Sequence, residues 1–136
     1  VRLGYCLCSD TELLARMRAA GQPWAVSSLA QAAGIAALDE TEYVAKVRAL
    51  IEAQRPVLAD GLRALGLRVI EGRVNYLLFR APEALGEALR RKGAVLRSCG
   101  NYPGLDASWY RTAVRTENEN RQLLALLAET LPEVAQ

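Results

Sequence analysis

The sequence predicts an α+β fold in which a long, kinked helix leads into a small, mainly antiparallel sheet covered by helices on one face. Residues 39–66 keep apolar side chains three to four positions apart, as in an amphipathic helix. Residues 67–136 alternate strand-like and helical patterns in the order β-β-α-β-β-α. The chain of 136 residues, 51% of them hydrophobic, is also large enough to form a real core.

The segment before the long helix predicts one strand and two helices. Residues 3–8 are typical of a buried strand. Asp10 is a suitable N-cap for a helix over residues 11–20. Residues 26–38 are apolar almost all round, so we expect this second helix to be buried against other elements or another subunit.

The long helix should begin after a cap at Asp39 or Thr41 and close at Gly66. Pro56 lies inside its apolar pattern. Because proline removes a backbone donor, we expect a kink just before that residue.

The rest of the chain predicts four strands and two helices. In chain order these are strands 67–71 and 75–80, a helix over 82–92, strands 95–99 and 109–114, and a final helix. Thr116 and Glu119 have the spacing of a capping box at the start of that final helix. The helix should end near Leu131, because Pro132 follows.

Composition narrows the possible partners. The net charge is +2, which is too small to indicate nucleic-acid or membrane-surface binding. No apolar run is long enough to cross a bilayer, and no secretory leader is recognisable. We therefore expect a cytoplasmic protein with neither a nucleic-acid nor a membrane partner.

The chain lacks a recognisable catalytic set. It contains no histidine, which excludes a Ser-His-Asp or Cys-His nucleophile system, and it has no glycine-rich phosphate loop. Cys6, Cys8 and Cys99 do not have a zinc spacing and are expected to be buried free thiols. We assign no catalytic residue and no metal ligand.

Arg97 and Arg111 are the strongest candidates for function. They flank a Pro103-Gly104 turn, with Arg97 expected at the end of one strand and Arg111 at the start of the next. Two guanidinium groups that converge there suit a doubly anionic ligand, because each binds a carboxylate or phosphate through two hydrogen bonds. The plainer alternative is two solvated arginines at strand ends.

Several segments resemble fold-type-I pyridoxal-phosphate enzymes of the class I/II aminotransferase group, over essentially the whole chain. These segments are RLGY from Arg2, GQPW from Gly21, NYLLF from Asn75, RSCGNYPGL from Arg97 and YRTAVRT from Tyr110. Within the family the resemblance is nearest to the threonine-phosphate decarboxylase branch of cobalamin biosynthesis, with the histidinol-phosphate aminotransferase branch as the alternative.

The resemblance implies a role for four residues. Arg2 would bind the phosphate of the cofactor, pyridoxal phosphate. Arg111 would hold the substrate carboxylate, Arg97 would contact the substrate phosphate, and Asn75 would face the same site. The substrate would be a small phosphorylated amino acid.

The resemblance also implies that this is the C-terminal portion of a longer, homodimeric enzyme. Residues 1–38 would then be a remnant of the large cofactor domain, 39–66 a connecting helix and 67–136 a small α+β domain. The Schiff-base lysine would lie in the missing N-terminal portion. We therefore expect the chain alone to be inactive and not to bind the cofactor.

Two other interpretations remain open from the residues. The chain is a stand-alone, non-catalytic module that binds phosphorylated amino acids through Arg97 and Arg111, or it is a structural fragment without a ligand.

Overall fold

A computed structural model describes residues 3–134, which form five helices and four strands. The chain divides into two compact units, residues 1–45 and 46–136. The described elements confirm the predicted α+β class.

The first unit contains helices α1 (Thr11–Ala20) and α2 (Ser28–Asp39). The Asp10 carboxylate accepts a hydrogen bond from the backbone N–H of Leu13 at 2.9 Å, so Asp10 is the predicted N-cap of α1. Ser27 caps α2 in the same way, through the N–H of Ala30 at 3.2 Å. Local side-chain chemistry therefore sets where both helices begin.

The strand expected at the start of this unit is absent. Residues 3–8 form no strand, and Tyr5 and Leu7 are 87% and 88% exposed. A strand needs a neighbour for its backbone hydrogen bonds, and the described part of the chain pairs none with this segment. Helix α2 is exposed along most of its length in the described chain, with Ala30 its buried residue, so burial of its apolar surface against another subunit stays a prediction.

Helix α3 (Thr41–Ala64) is helical throughout, including Pro56. Glu40 stands at its N-terminal cap position, since the Glu40 carbonyl accepts the first helical hydrogen bond from Val44 at 3.1 Å. The cap therefore lies between the two predicted positions, Asp39 and Thr41. Gly66 follows the helix at φ +78°, a left-handed conformation that favours glycine and lets the chain turn into the sheet.

The second unit is built on a four-stranded antiparallel sheet. Its strands are β1 (Arg68–Ile70), β2 (Tyr76–Arg80), β3 (Arg97–Ser98) and β4 (Trp109–Ala113). Their order in the sheet is β1-β2-β4-β3, and every neighbouring pair is antiparallel. Strand β3 is shorter than the predicted 95–99, which leaves the end of β4 without a partner on that side.

One face of the sheet is covered by helices, as predicted. Alternation along β2 places Leu77 and Phe79 on that face, and Phe79 pairs with Tyr110 of β4. The core against this face is formed by apolar side chains from α3, helix α4 (Leu85–Arg91) and helix α5 (Glu117–Val134), among them Leu58, Leu62, Leu85, Leu89 and Leu127. The opposite face carries Tyr76, Leu78 and Arg111.

Tyr110 fixes β4 against α4. Its side chain is buried, and its hydroxyl donates to the backbone carbonyl of Glu83 at 2.7 Å and accepts from the N–H of Gly86 at 3.2 Å. A Cβ at Gly86 would lie 3.0 Å from the Tyr110 ring, so glycine permits this close approach. The first turn of α4 has no hydrogen bond from an N-cap side chain. The Tyr110 hydroxyl therefore provides an acceptor for the N–H of Gly86 in that turn.

Helix α5 extends further than the sequence predicted. It continues through Pro132 to Val134 rather than ending near Leu131. Proline removes one helical hydrogen bond, but Leu131 and Val134 pack against the core cluster and hold the last turn in place. No helix of the described chain is both long and apolar enough to cross a membrane.

Phe79→Ala is expected to destabilise the second unit by about 3–5 kcal/mol, because it leaves a cavity at a fully buried site. Urea unfolding followed by tryptophan fluorescence would measure this. Trp24 is 97% exposed, so the signal change comes mainly from half-buried Trp109. Phe79→Leu is the matched control with a smaller cost. Equal stability of Phe79→Ala and the parent chain would contradict the core assignment.

Candidate anion-binding site

Arg97 and Arg111 lie directly opposite each other in the β3–β4 pair. Opposed residues in antiparallel strands project from the same face with their Cβ atoms about 5 Å apart. The two arginines therefore share one face of the sheet, although their strand positions differ from those expected. Arg97 begins β3, and Arg111 lies in the middle of β4.

The connection between β3 and β4 produces this register. The Cys99 N–H donates to the carbonyl of Trp109 at 2.8 Å and continues the ladder beyond β3. Within the loop, the N–H of Leu105 donates to the carbonyl of Tyr102 at 3.0 Å, and Gly104 takes a φ of +85°. The predicted Pro103-Gly104 turn thus brings the two arginines together.

Both guanidinium groups lie beside aromatic rings. Arg111 is half-buried, with its guanidinium carbon 4.7 Å from the centroid of the Tyr76 ring. Arg97 lies 6.0 Å from the Tyr102 ring and donates weakly to the Asn101 amide oxygen at 3.4 Å. Among the described residues neither arginine forms an ion pair, so both positive charges are available to a ligand.

The two arginines line one open pocket of about 610 Å³ at the end of the sheet where β3 leaves β4 unpaired. Asn75 lines the same pocket, so the structure brings together three of the four predicted site residues. The Asn75 carbonyl accepts from the N–H of Val114 at 2.9 Å, which extends the β2–β4 pairing by one residue. Arg2, the fourth predicted residue, lies outside the described residues.

A third arginine of the pocket, Arg115, was missed as a site residue by the sequence analysis. Its Nε lies 2.8 Å from Oε1 of Glu119, which also lines the pocket. Oε2 of Glu119 accepts from the Thr116 hydroxyl at 2.6 Å and from the Thr116 N–H at 3.2 Å, which confirms the predicted capping box. The Thr116 hydroxyl, then its N–H, and Arg115 lower the pKa of Glu119.

Asn120 holds the turn between β4 and α5. Its buried amide accepts from the N–H of Arg115 at 3.1 Å and donates to the Arg115 carbonyl at 2.9 Å. It also lies 3.3 Å from the side-chain oxygen of Gln54 on α3. The sequence analysis did not identify Asn120, and one of its three side-chain hydrogen bonds reaches a helix 66 residues earlier in the chain.

The two lysine side chains lie away from the pocket. Lys92 is bonded to Glu129 at 2.8 Å and Glu133 at 2.7 Å, which raises its pKa, and Lys46 lies on α3. Neither lysine lines the pocket.

The prediction of buried free thiols holds for Cys99 alone, since Cys6 and Cys8 are free but exposed. The two exposed thiols lie in the segment that forms no strand. Within the described chain, no cluster of three or more potential metal ligands occurs.

The profile of the family described as aminotransferase class I and II matches residues 1–127. The chain belongs to this family. Members of the family use pyridoxal phosphate, and the α+β architecture of the second unit is that of its solved structures.

Two curated relatives illustrate the similarity. Threonine-phosphate decarboxylase of Salmonella typhimurium strain LT2 is 37% identical over 139 residues, which covers 99% of this chain and 38% of the relative. A histidinol-phosphate aminotransferase of Symbiobacterium thermophilum is 37% identical over 135 residues, which covers 97% of this chain and 37% of the relative. The chain thus spans under two-fifths of each of these relatives.

A solved structure of the same family is similar to most of this chain. The crystal structure of the histidinol-phosphate aminotransferase from Clostridium acetobutylicum superposes with a TM-score of 0.80 at 28% identity. The match covers 91% of this chain and 39% of that one.

The residues that line the pocket fit the binding of an anion but not a covalent anchor for the cofactor. The pocket contains three arginines and no lysine. An aldehyde cofactor needs an amine for its imine, so we assign no step of a reaction through pyridoxal phosphate to these residues.

Glu119→Gln is expected to reduce stability most at neutral pH. The folded-state pKa of Glu119 is lowered from its ordinary value of 4.5, so its contribution is complete above that value and is lost as the pH falls through the lowered pKa. Thermal unfolding of both chains between pH 2 and pH 7 would measure the difference.

Glu117→Gln is the control, because Glu117 lies in the same helical turn and pairs with Arg121 outside the pocket. A stability difference between Glu119→Gln and the parent chain that stays constant into strong acid would contradict this linkage.

Proposed function

We propose that this chain supplies the substrate-binding arginines of a pyridoxal-phosphate-dependent enzyme that acts on a small phosphorylated amino acid, with L-threonine phosphate as the best candidate. The observation that carries the proposal is the direct pairing of Arg97 and Arg111, without carboxylate partners, in one pocket. The parent reaction we propose is the decarboxylation of L-threonine phosphate, as the name of the Salmonella relative suggests, and we place it in cobalamin biosynthesis.

Arg111 is suited to the substrate carboxylate. It is half-buried, lies in the middle of a strand whose backbone is paired on both sides, and rests its guanidinium beside the Tyr76 ring. A carboxylate matches the guanidinium fork with two parallel hydrogen bonds. Arg97 is more exposed and lies at the edge of the sheet, where it has room for the bulkier phosphate.

Holding both anionic groups fixes the orientation of the carbon between them. In this family the cofactor acts as an electron sink when bound, and the orientation of the substrate determines which bond to that carbon breaks. In our proposal, Arg111 and Arg97 together set the direction of the carboxylate, with Asn75 at the rim of the same pocket.

The cofactor, its anchoring lysine and the partner subunit belong to the parent protein in this proposal. Arg2 would contribute to the cofactor phosphate there. The exposed apolar residues of the first unit, which include Leu29, Ile35 and Leu38, are consistent with a surface that the remainder of a homodimeric enzyme covers.

A histidinol-phosphate-type aminotransferase is the second candidate, because relatives of that name match at the same identity. Histidinol phosphate carries a phosphate but no carboxylate. A ligand with both groups should depend on both arginines, whereas histidinol phosphate should depend on the phosphate-binding residue alone. A stand-alone module that binds phosphorylated amino acids uses the same pocket without a reaction.

Arg111→Ala is expected to weaken the binding of O-phospho-L-threonine by about 10- to 100-fold, because a charge-assisted bond contributes about 1.5–3 kcal/mol. Arg97→Ala should weaken it to a similar degree. Isothermal titration calorimetry on the 136-residue chain would measure both. Arg90→Ala is the matched control, since Arg90 pairs with Glu87 on α4 away from the pocket.

If both pocket variants bind O-phospho-L-threonine as tightly as Arg90→Ala does, the proposal is wrong. Equal weakening of histidinol phosphate and O-phospho-L-threonine by Arg97→Ala, with Arg111→Ala affecting O-phospho-L-threonine alone, supports the division of roles.

The 136-residue chain is expected to release no carbon dioxide from L-threonine phosphate when pyridoxal phosphate is added, because the pocket contains no lysine. Turnover above the rate of free cofactor would contradict this. The coding region ahead of Val1 is the second test. A Ser-x-x-Lys segment there supports the parent enzyme, and a start codon directly ahead of this chain supports the binding module.

A further inference from the structure

Arg115 and Arg121 each form an ion pair with a glutamate of α5, but they do so through different guanidinium nitrogens. Arg115 offers Nε to Glu119, at 2.8 Å. Arg121 offers a terminal nitrogen, Nη2, to Glu117 at 2.5 Å. Both pairs have the i,i+4 spacing and are largely exposed, but Arg115 alone of the two arginines lines the pocket.

Engagement through Nε leaves the two terminal nitrogens of Arg115 without an ion pair among the described residues. Those nitrogens form the outer edge of the guanidinium fork, which binds the oxygens of a phosphate. Both oxygens of Glu119 already have donors, Oε1 from Arg115 and Oε2 from Thr116. The carboxylate therefore holds one side of Arg115 and is itself held by the capping box.

The pocket carries an excess of positive charge, which suits an anionic ligand. Its charged lining residues are Arg97, Arg111, Arg115 and Glu119, an excess of two positive charges. A phosphate monoester carries about −1.5 to −2 charges near pH 7. If Arg111 takes a carboxylate, Arg97 alone faces that phosphate unless another cation contributes.

We infer that Arg115 is a third anion-binding residue of the pocket, that Glu119 positions it, and that the two make the pocket prefer phosphorylated amino acids to amino acids with a carboxylate alone. This inference rests on the proposed function and assigns its phosphate subsite to Arg115 together with Arg97.

NMR titration of the 136-residue chain with O-phospho-L-threonine and L-threonine tests the inference, since it detects weak binding. Arg115→Ala should weaken O-phospho-L-threonine about tenfold and leave L-threonine unchanged, since one charge-assisted contact to the phosphate is lost. The matched control, Arg121→Ala, should change neither affinity. Circular dichroism of each variant would verify that α5 remains folded.

Glu119→Gln separates positioning from helix capping. It should weaken O-phospho-L-threonine less than Arg115→Ala does, and it should shift the Nε–H signal of Arg115 in the free chain. Combining Glu119→Gln with Arg115→Ala should add little further loss, because both changes act on one contact.

The outcomes distinguish a failure of the role inferred for Arg115 from a failure of the proposed function. If Arg115→Ala resembles Arg121→Ala, or weakens both ligands equally, the inference is overturned while the roles of Arg97 and Arg111 stand. If the parent chain binds neither ligand, the proposed function and the inference fail together.

Discussion

The antiparallel register between β2 and β4 is the constraint on which the second unit depends. Five residue pairs define this register. The first pairs Tyr76 with Ala113, and the last pairs Arg80 with Trp109. A slip of one residue would exchange the two faces of β4, burying Arg111 and exposing Tyr110. The apolar side chains of β2 and the hydroxyl bonds of Tyr110 to the start of α4 oppose that slip. The same packing that forms the core therefore directs Arg111 into the pocket.

Much of this fold was predictable because its signals are local. The Asp10 cap, the Gly66 helix end and the capping box at Thr116 each depend on residues within one turn of the helix they affect, and the structure has all three. Alternation over residues 76–80 likewise identified β2. The family was recognisable from motifs spread along the chain, and the profile match to residues 1–127 confirms it.

The failures share a physical cause, which is dependence on distant partners. Residues 3–8 have the composition of a strand but no strand beside them, and the continuation of α5 past Pro132 depends on core contacts of Leu131 and Val134. Within the site, the pairing of Arg97 with Arg111 followed from a short turn. The contribution of Arg115 did not, because three separate segments create the pocket and the tie between Asn120 and Gln54 spans 66 residues.

The stacking of Arg111 on Tyr76 has a consequence for recognition. An arginine in open solvent samples many rotamers, and a ligand that captures it must bear the loss of that freedom. Here the aromatic ring lies 4.7 Å from the guanidinium carbon and restricts the side chain before any ligand arrives. The entropy is therefore lost during folding, and an anion bound in the way we propose would not have to bear that loss. In the proposed complex, Tyr76 would thus strengthen anion binding by ordering Arg111 in advance.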